Sequence, residues 1–545
     1  MATAATGREA GNKSAEAARR GARSPVVLGC ELVLLALVAW RVCRAAIALR
    51  AQALTPFQFD YGEGNVLATL VRIAHGLSPY PDPRAFPNAI DPYGPVGYYL
   101  LAIPVKLVGV SLLAPRLLVI ASVVAICVLL ALIIVRLTRS LAAAVIFGAI
   151  YAALPLVAGM GALLRVDLVG LALSVGGLYI FSQGVSATED TERKKEATPL
   201  PIADCRLPIS SNLPGSSTID NRTSKIGNDF RPGFACTAAA LFVAAVFCKH
   251  SLLAAPAACT LYLVSRRRWC QAANFAGAGA ALGVAAFGIT EWLTGGFFAE
   301  HLFLTHPDPF SWNGYALRIT RLAIGAAPLL ALAAVRIVSE LRRQHLSVAS
   351  WWFLLATMTA ITAGKQGSGW NHFLEWTAAL CLCAALGWDE VKRVRPAALL
   401  FAAWLAAMLL WPAPSTFDWS NGLQQCPQAY AYIRAHAGDR ALSENLSALL
   451  LGGKNVWVLD PFVYSQIAMH GTWRDDVIEP RLRSRWFDMV VTRRDYTQSS
   501  DALRRGVERF SAGTVQALKA NYGVVRSFQC TDANVIFEPL PLQSK

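Results

Sequence analysis

The segment FDYGEG, Phe59–Gly64, carries two carboxylates three residues apart, Asp60 and Glu63. On a helix that spacing puts both on one face. One is suited to act as a general base, the other to orient it or to ligate a metal. The stretch LRVDL adds a third acid, Asp167, two residues after Arg165. Lys249 and His250 in CKHS, and Lys365, Asn371 and His372 in GKQGSGWNHFLE, add cations and polar groups; Tyr93 stands between them and the first acids. A carboxylate base takes the proton of an acceptor hydroxyl, and cations neutralise a departing phosphate as its charge builds. These residue types suit transfer from a donor whose leaving group is a phosphate.

The elements that must position them are membrane helices. The chain of 545 residues is 55% hydrophobic and only 16% charged, with a mean hydropathy of +0.41, against roughly 25% charged in a soluble protein. A crossing needs about 20 mostly apolar residues. Eleven segments are expected to cross, near Val26–Leu49, Leu112–Leu137, Leu141–Met160, Leu168–Phe181, Phe234–Phe247, Ser251–Val264, Ala272–Ile289, Ile319–Val338, Ala349–Ala363, Phe373–Trp388 and Pro396–Trp411. Residues 1–25 form a basic cytoplasmic tail, and 183–232 a polar cytoplasmic loop inside a transmembrane domain at 26–412.

The net charge of +15 is parcelled into short clusters between apolar runs. With the N-terminus in the cytoplasm, every such cluster after an even-numbered span falls on that side, including Arg136/Arg139, Arg266–Arg268, Arg342/Arg343 and Lys392/Arg393/Arg395. This is the positive-inside pattern, and it argues against nucleic acid as the partner. It requires Tyr93–Val110 to be an interfacial or re-entrant helix, broken by Pro95 and Pro104. The outer face then receives residues 51–111, Arg165–Asp167, Lys249–His250, Glu291–Tyr315, Gly364–His372 and the tail 413–545. Singly, each polar group is ordinary loop polarity; their gathering on one membrane face points to a shared site.

In this order, FDYGEG, LATLVRIAHGLSPYPDP, DPYGPVGYYLLAIPVKLVG and APRLLVIASVV resemble the polytopic glycosyltransferases called GT-C. The similar subgroup is the bacterial relatives of protein O-mannosyltransferases and of lipid A aminoarabinose transferases. The resemblance covers Phe59–Phe181, with Arg116, Arg165 and Asp167 at matching places; CKHS and GKQGSGWNHFLEW are similar to later family segments. It implies an inverting, membrane-embedded glycosyltransferase with a polyprenyl-phosphate-linked sugar as donor and no nucleotide sugar. The acceptor would be a hydroxyl of a glycolipid, polysaccharide or protein on the outer face of a bacterial inner membrane. Family members carry adjacent Asp-Glu, whereas Tyr61-Gly62 separates the two acids here. Asp60, as the first acid, is the preferred base, with Glu63 and Asp167 as further catalytic acids. Arg165, Lys249, His250, Lys365, Asn371, His372 and Tyr93 are the donor-phosphate and substrate contacts.

Some family members bind a divalent metal. The candidate ligands here are His301, His306 and Asp308, whose spacing fixes no geometry. No other cofactor is implied. GKQGSG lacks the spacing of a nucleotide-binding loop, and the Asn221 sequon falls on the cytoplasmic side. In the tail, NVWVLD, FDMVVT, GVVRSFQC and NVIFEP read as strands alternating with helices at 428–436 and 501–510, a small α/β domain. Of twelve cysteines only Cys426 and Cys530 lie in that tail, where an oxidising compartment would allow a disulfide. The rival functions are a transporter or flippase of lipid-linked sugars, which favours charged helix breaks at mid-membrane and an internal repeat, and a non-catalytic subunit of a glycan assembly complex.

Overall fold

The computed structural model describes residues 24–197, 232–304, 310–365, 368–411, 422–469, 475, 477–497, 509–530 and 533–541. Most of the N-terminal tail expected at 1–25 and of the 183–232 loop, the 501–508 part of the expected helix, and His306 and Asp308 lie outside them.

Helix α1, Pro25–Leu54, starts at a proline, whose missing N–H is harmless in a first turn. Then come α2 Tyr61–Ala74, α3 Pro95–Val108, α4 Leu113–Thr138, α5 Leu141–Ala153, α6 Pro155–Met160 and α7 Asp167–Ala197. Next are α8 Pro232–Val246, α9 Ala254–Ser265, α10 Trp269–Leu293 and α11 Phe297–Leu304. The series ends with α12 Trp312–Gly325, α13 Ala327–Arg342, α14 Val348–Thr359, α15 Leu374–Val391 and α16 Arg395–Leu410. Helices α1, α4, α7 and α10 are long and apolar enough to cross a membrane, and α5, α8, α9, α14 and α16 are shorter apolar helices. The chain is a multi-pass membrane protein. Helix α15 is its hub, buried from Leu374 to Trp388. Helix α3 has 14 residues, short of the about 20 a crossing needs.

The segment expected as one span near Ile319–Val338 is instead a pair, α12 and α13, bent by 87°. Pro328 at the start of α13 has no N–H for the carbonyl of Ile324, so the helix cannot run through.

The tail folds into α17 Cys426–His436, β1 Ala441–Ser443, α18 Leu446–Leu451, α19 Pro461–Met469, α20 Glu479–Arg483, β2 Met489–Thr492, α21 Ala512–Asn521, β3 Tyr522–Gln529 and β4 Ala533–Pro539. The sheet order is β1-β2-β4-β3; β1 runs parallel to β2, and β4 is antiparallel to both its neighbours. NVWVLD is not a strand: its Val458 makes only an isolated bridge to Asn88 of the loop before α3. Val458 and Leu459 dock the tail on the loop before α3 instead, and the short β1 stands at the edge of the sheet. Cys426 and Cys530 are disulfide-bonded and buried, closing a separation of 104 residues between α17 and the end of β3.

Candidate active site

The expected i, i+3 pairing of the first two acids does not form. Asp60 is not in the helix: it is the N-cap of α2, with extended backbone (φ −136°, ψ 164°), and its Oδ1 accepts the Glu63 N–H at 3.1 Å. The two carboxylates therefore point into different surroundings.

Glu63 is enclosed. It and Arg116 are both 0% exposed. The Arg116 Nε and Nη2 donate to the two Glu63 oxygens at 2.9 and 2.8 Å. The remaining guanidinium hydrogens go to the carbonyls of Gln52 (3.0 Å), Thr55 (2.5 Å) and Phe57 (2.8 Å), so all five donors are used. Glu63 also accepts the backbone N–H of Phe59 (2.7 Å) and of Leu164 (2.8 Å). One ion pair thus ties together the end of α1, the start of α2, helix α4 and the turn before α7.

Asp60 keeps a quarter of its side chain exposed. Its Oδ2 accepts from Arg165 Nη2 at 2.6 Å and Nε at 3.0 Å. Gly62 makes this possible: a Cβ there would stand 2.8 Å from Arg165 Nη2. Burial opposes the Arg165 charge, but Asp60, then Tyr93 and Asp167, outweigh it and hold the guanidinium above its ordinary range. Tyr93 is within the field of the same groups, and burial pushes its hydroxyl up to about 12. Gly94, next to it, lies so close to the Phe247 backbone that a Cβ would meet the carbonyl carbon at 2.6 Å. The Val96 N–H bonds the Phe247 carbonyl at 3.0 Å. This contact docks the Tyr93 loop on the turn that carries Lys249 and His250.

Asp167 opens α7 and is 3% exposed. Its Oδ1 accepts from the Lys249 ammonium and, at 2.8 Å, from Asn371 Nδ2. Its Oδ2, and the Oδ1 of Asn371, are buried and have no hydrogen-bond partner among the described residues. They border a small cavity lined also by Lys249, Thr362, His372 and Glu375. His372 contacts the Thr362 hydroxyl through Nδ1 at 2.9 Å, and burial, then Lys249, push its pKa well below the ordinary value. It is neutral at pH 7, and His250 lies close enough to contribute to that shift. Lys365 sits at the end of the preceding 3₁₀ turn, bonded through its backbone to Thr362. Among the described residues its ammonium touches no member of the cluster.

His301 stands apart. Its Nδ1 accepts the Asp91 N–H at 3.0 Å and its Nε2 lies 2.7 Å from the Pro81 carbonyl. Burial pushes it down to about 4, so it is neutral, with the proton on Nε2. Both nitrogens are used on backbone, which does not suit a metal ligand. Among the described residues no group of three or more His, Cys, Asp or Glu is placed to hold a metal.

Besides Glu375, which lines the Asp167 cavity, two acids escaped the sequence reading. Asp460 accepts from Tyr61 Oη (2.6 Å), Asn65 Nδ2 (2.5 Å) and the Val463 N–H (2.9 Å). It holds the first turns of α2 from the tail domain; its own signal was the Asp-Pro that starts α19. Asp91 is 1% exposed and accepts the Thr69 hydroxyl at 2.5 Å.

No protein-family model matches the chain, and no curated protein matches it. Its fold is similar to that of solved structures. The apo form of ArnT from Cupriavidus metallidurans superposes with a TM-score of 0.57 at 12% identity, over 92% of this chain and 97% of that one. The same protein bound to undecaprenyl phosphate gives 0.56 at 12% identity, over 93% and 99%. At this identity the likeness is one of fold, shared across nearly the whole length of both chains.

Proposed function

We propose that this chain moves a sugar from a polyprenyl-phosphate-linked donor to a hydroxyl acceptor, with inversion, at the membrane face that carries Asp60. The observation that carries the reading is the meeting of Asp60–Arg165, Tyr93 and Asp167–Lys249–Asn371 at the ends of different helices. The shared fold supports the donor class, since the solved relative holds undecaprenyl phosphate.

In this reading Asp60 is the base. The acceptor oxygen attacks the anomeric carbon while its proton passes to Asp60. The bond from that carbon to the phosphate oxygen breaks, and its electron pair leaves with the phosphate. Arg165 and Lys249, with His250 and Lys365 as further contacts, balance the growing negative charge. Asp167 Oδ2 and Asn371 Oδ1 are buried acceptors that need donors, and sugar hydroxyls supply them. Glu63 acts on structure only: it fixes Arg116, and through it the backbone that presents Asp60. No step is routed through a metal.

The finer topology belongs to the same proposal. Eleven crossings in a bacterial inner membrane, a cytoplasmic N-terminus and an extracytoplasmic tail domain at 413–545 put the whole cluster outside. Purified protein in proteoliposomes, offered radiolabelled sugar as polyprenyl phosphate or as nucleotide conjugates, is expected to transfer label only from the lipid-linked form. Transfer from a nucleotide sugar with none from any lipid donor would overturn the reading.

A further inference from the structure

His301 takes no part in the acid cluster, yet it reaches the loop that carries Tyr93. Helix α11 places it there. The helix is fixed on the end of α10: the Phe298 N–H donates to the Thr294 hydroxyl at 3.2 Å, and the Ala299 N–H to the Glu291 carboxylate at 2.8 Å. Phe298 and His301 stand three residues apart and so share a face; both are buried. The Phe298 ring lies against Tyr80, with centroids 5.0 Å apart, and stacks on Phe247 at 6.2 Å. Phe247 is the residue whose carbonyl receives the Val96 N–H, and Lys249 follows shortly after it. One face of α11 thus touches both of the loops that dock at the site.

His301 does more than fill this face. Its Nδ1 accepts the Asp91 N–H, and its Nε2 donates to the Pro81 carbonyl. A backbone N–H can only donate, so the ring proton must be on Nε2. The imidazole is a crossbar between the two ends of the 81–91 loop. It also meets the Tyr80 ring edge-on at 5.4 Å, and the Tyr80 hydroxyl donates to the Tyr93 carbonyl at 2.7 Å. Tyr93 is therefore tied to His301 by two routes, through the nearby Asp91 backbone and through Tyr80. The Arg84–Glu300 pair also joins this loop to α11, but Arg84 is half exposed there, where an ion pair contributes little. Satisfying two buried backbone groups is an ordinary task for a buried histidine. Here both groups belong to the segment that leads into a proposed substrate contact.

We infer that His301 is a positioning residue: its two backbone bonds set where Tyr93 stands in the field of Asp60, Arg165 and Asp167. The inference rests on the proposed transfer, in which Tyr93 contacts the donor.

Donor kinetics of the purified full chain in proteoliposomes test it, with a polyprenyl-phosphate sugar as donor and rates taken per folded molecule. His301→Phe keeps a ring against Tyr80 and loses both bonds. It is expected to raise the donor KM about tenfold, the scale of one misplaced hydrogen bond. A mere loss of folded protein lowers the maximal rate and leaves KM alone. His301→Gln is expected to regain most of the loss, because its amide oxygen and nitrogen are spaced like the two ring nitrogens. Beside Tyr93→Phe, His301→Phe is expected to cost little more. A wild-type KM in His301→Phe would overturn the inference. So would a His301→Gln enzyme no better than His301→Phe, or an undiminished effect beside Tyr93→Phe. Amide hydrogen exchange needs no transfer: the Asp91 N–H is expected to exchange faster in His301→Phe than in wild type, and residues 57–64 at the same rate. Equal exchange at Asp91 would overturn the crossbar whether or not the chain transfers sugar, which separates its failure from that of the transfer reading.

Discussion

Asp60 and Glu63 have the same chemistry and different fates, and one hydrogen bond decides between them. As N-cap, Asp60 turns back on the helix start and meets Arg165 while staying partly exposed; Glu63, inside the first turn, is sealed against Arg116. The sequence showed both acids and the order of Arg116, Arg165, Asp167, Lys249 and Asn371. It did not show which acid is exposed, because the i, i+3 argument assumes that both are already helical. Glu63→Gln would leave the buried guanidinium facing a neutral amide. Breaking such a pair costs about 3–5 kcal/mol, so a fall in yield and in Tm is expected; a variant as stable as wild type would contradict the clamp. Asp91 gives a test in pH. Burial raises it from 3.8 to about 7, so the folded state prefers the neutral acid. The stability this contributes is complete below pH 4 and is lost as pH rises towards 7. Thermal unfolding of wild type is expected to fall relative to Asp91→Asn between pH 5 and 8. A constant difference across that range would show that Asp91 ionises normally.

At the scale of elements, hydropathy finds apolar helices well and their ends poorly. The α12–α13 bend was hidden because Ile319–Val338 keeps its apolar character through Pro328. In the tail, NVWVLD has strand residues, but its backbone groups pair with Asn88 rather than with the sheet, through Asn88 N–H to Trp457 O (2.8 Å) and Leu459 N–H to Asn88 O (2.9 Å). Such long-range pairing leaves no local trace. The Cys426–Cys530 bridge was legible, because these were the two cysteines in the tail at 413–545. It closes a loop that, in the chain-entropy picture, makes it worth about 4–5 kcal/mol. Intact protein from an oxidising compartment is expected to hold these two thiols unreactive to alkylation until reduced. Cys426→Ser is expected to make the tail domain the first part to yield to protease. Two freely alkylated tail thiols in native protein would contradict the bridge.

The whole molecule joins a bundle of apolar helices to a small sheet domain that grips the stretch from Gln58 to Asn88. Asp460 bonds Tyr61 and Asn65, Ser447 bonds Gln58, and Tyr430 receives the Gln58 N–H. The tail therefore supports the helix that Asp60 caps. The order of polar segments was enough to suggest the architecture, and the superposition on ArnT bears the fold out. What the order could not convey is that three acids have three surroundings: a partly exposed one at Asp60, a cavity at Asp167 and a sealed one at Glu63. The most direct measurement is the rate of label transfer from a polyprenyl-phosphate sugar by wild type and Asp60→Asn, matched for folded protein in the same membranes. Loss of a general base lowers the rate by about 10²–10⁴-fold, and that fall, with donor binding retained, is the predicted result. An Asp60→Asn enzyme that transfers at the wild-type rate would contradict the account.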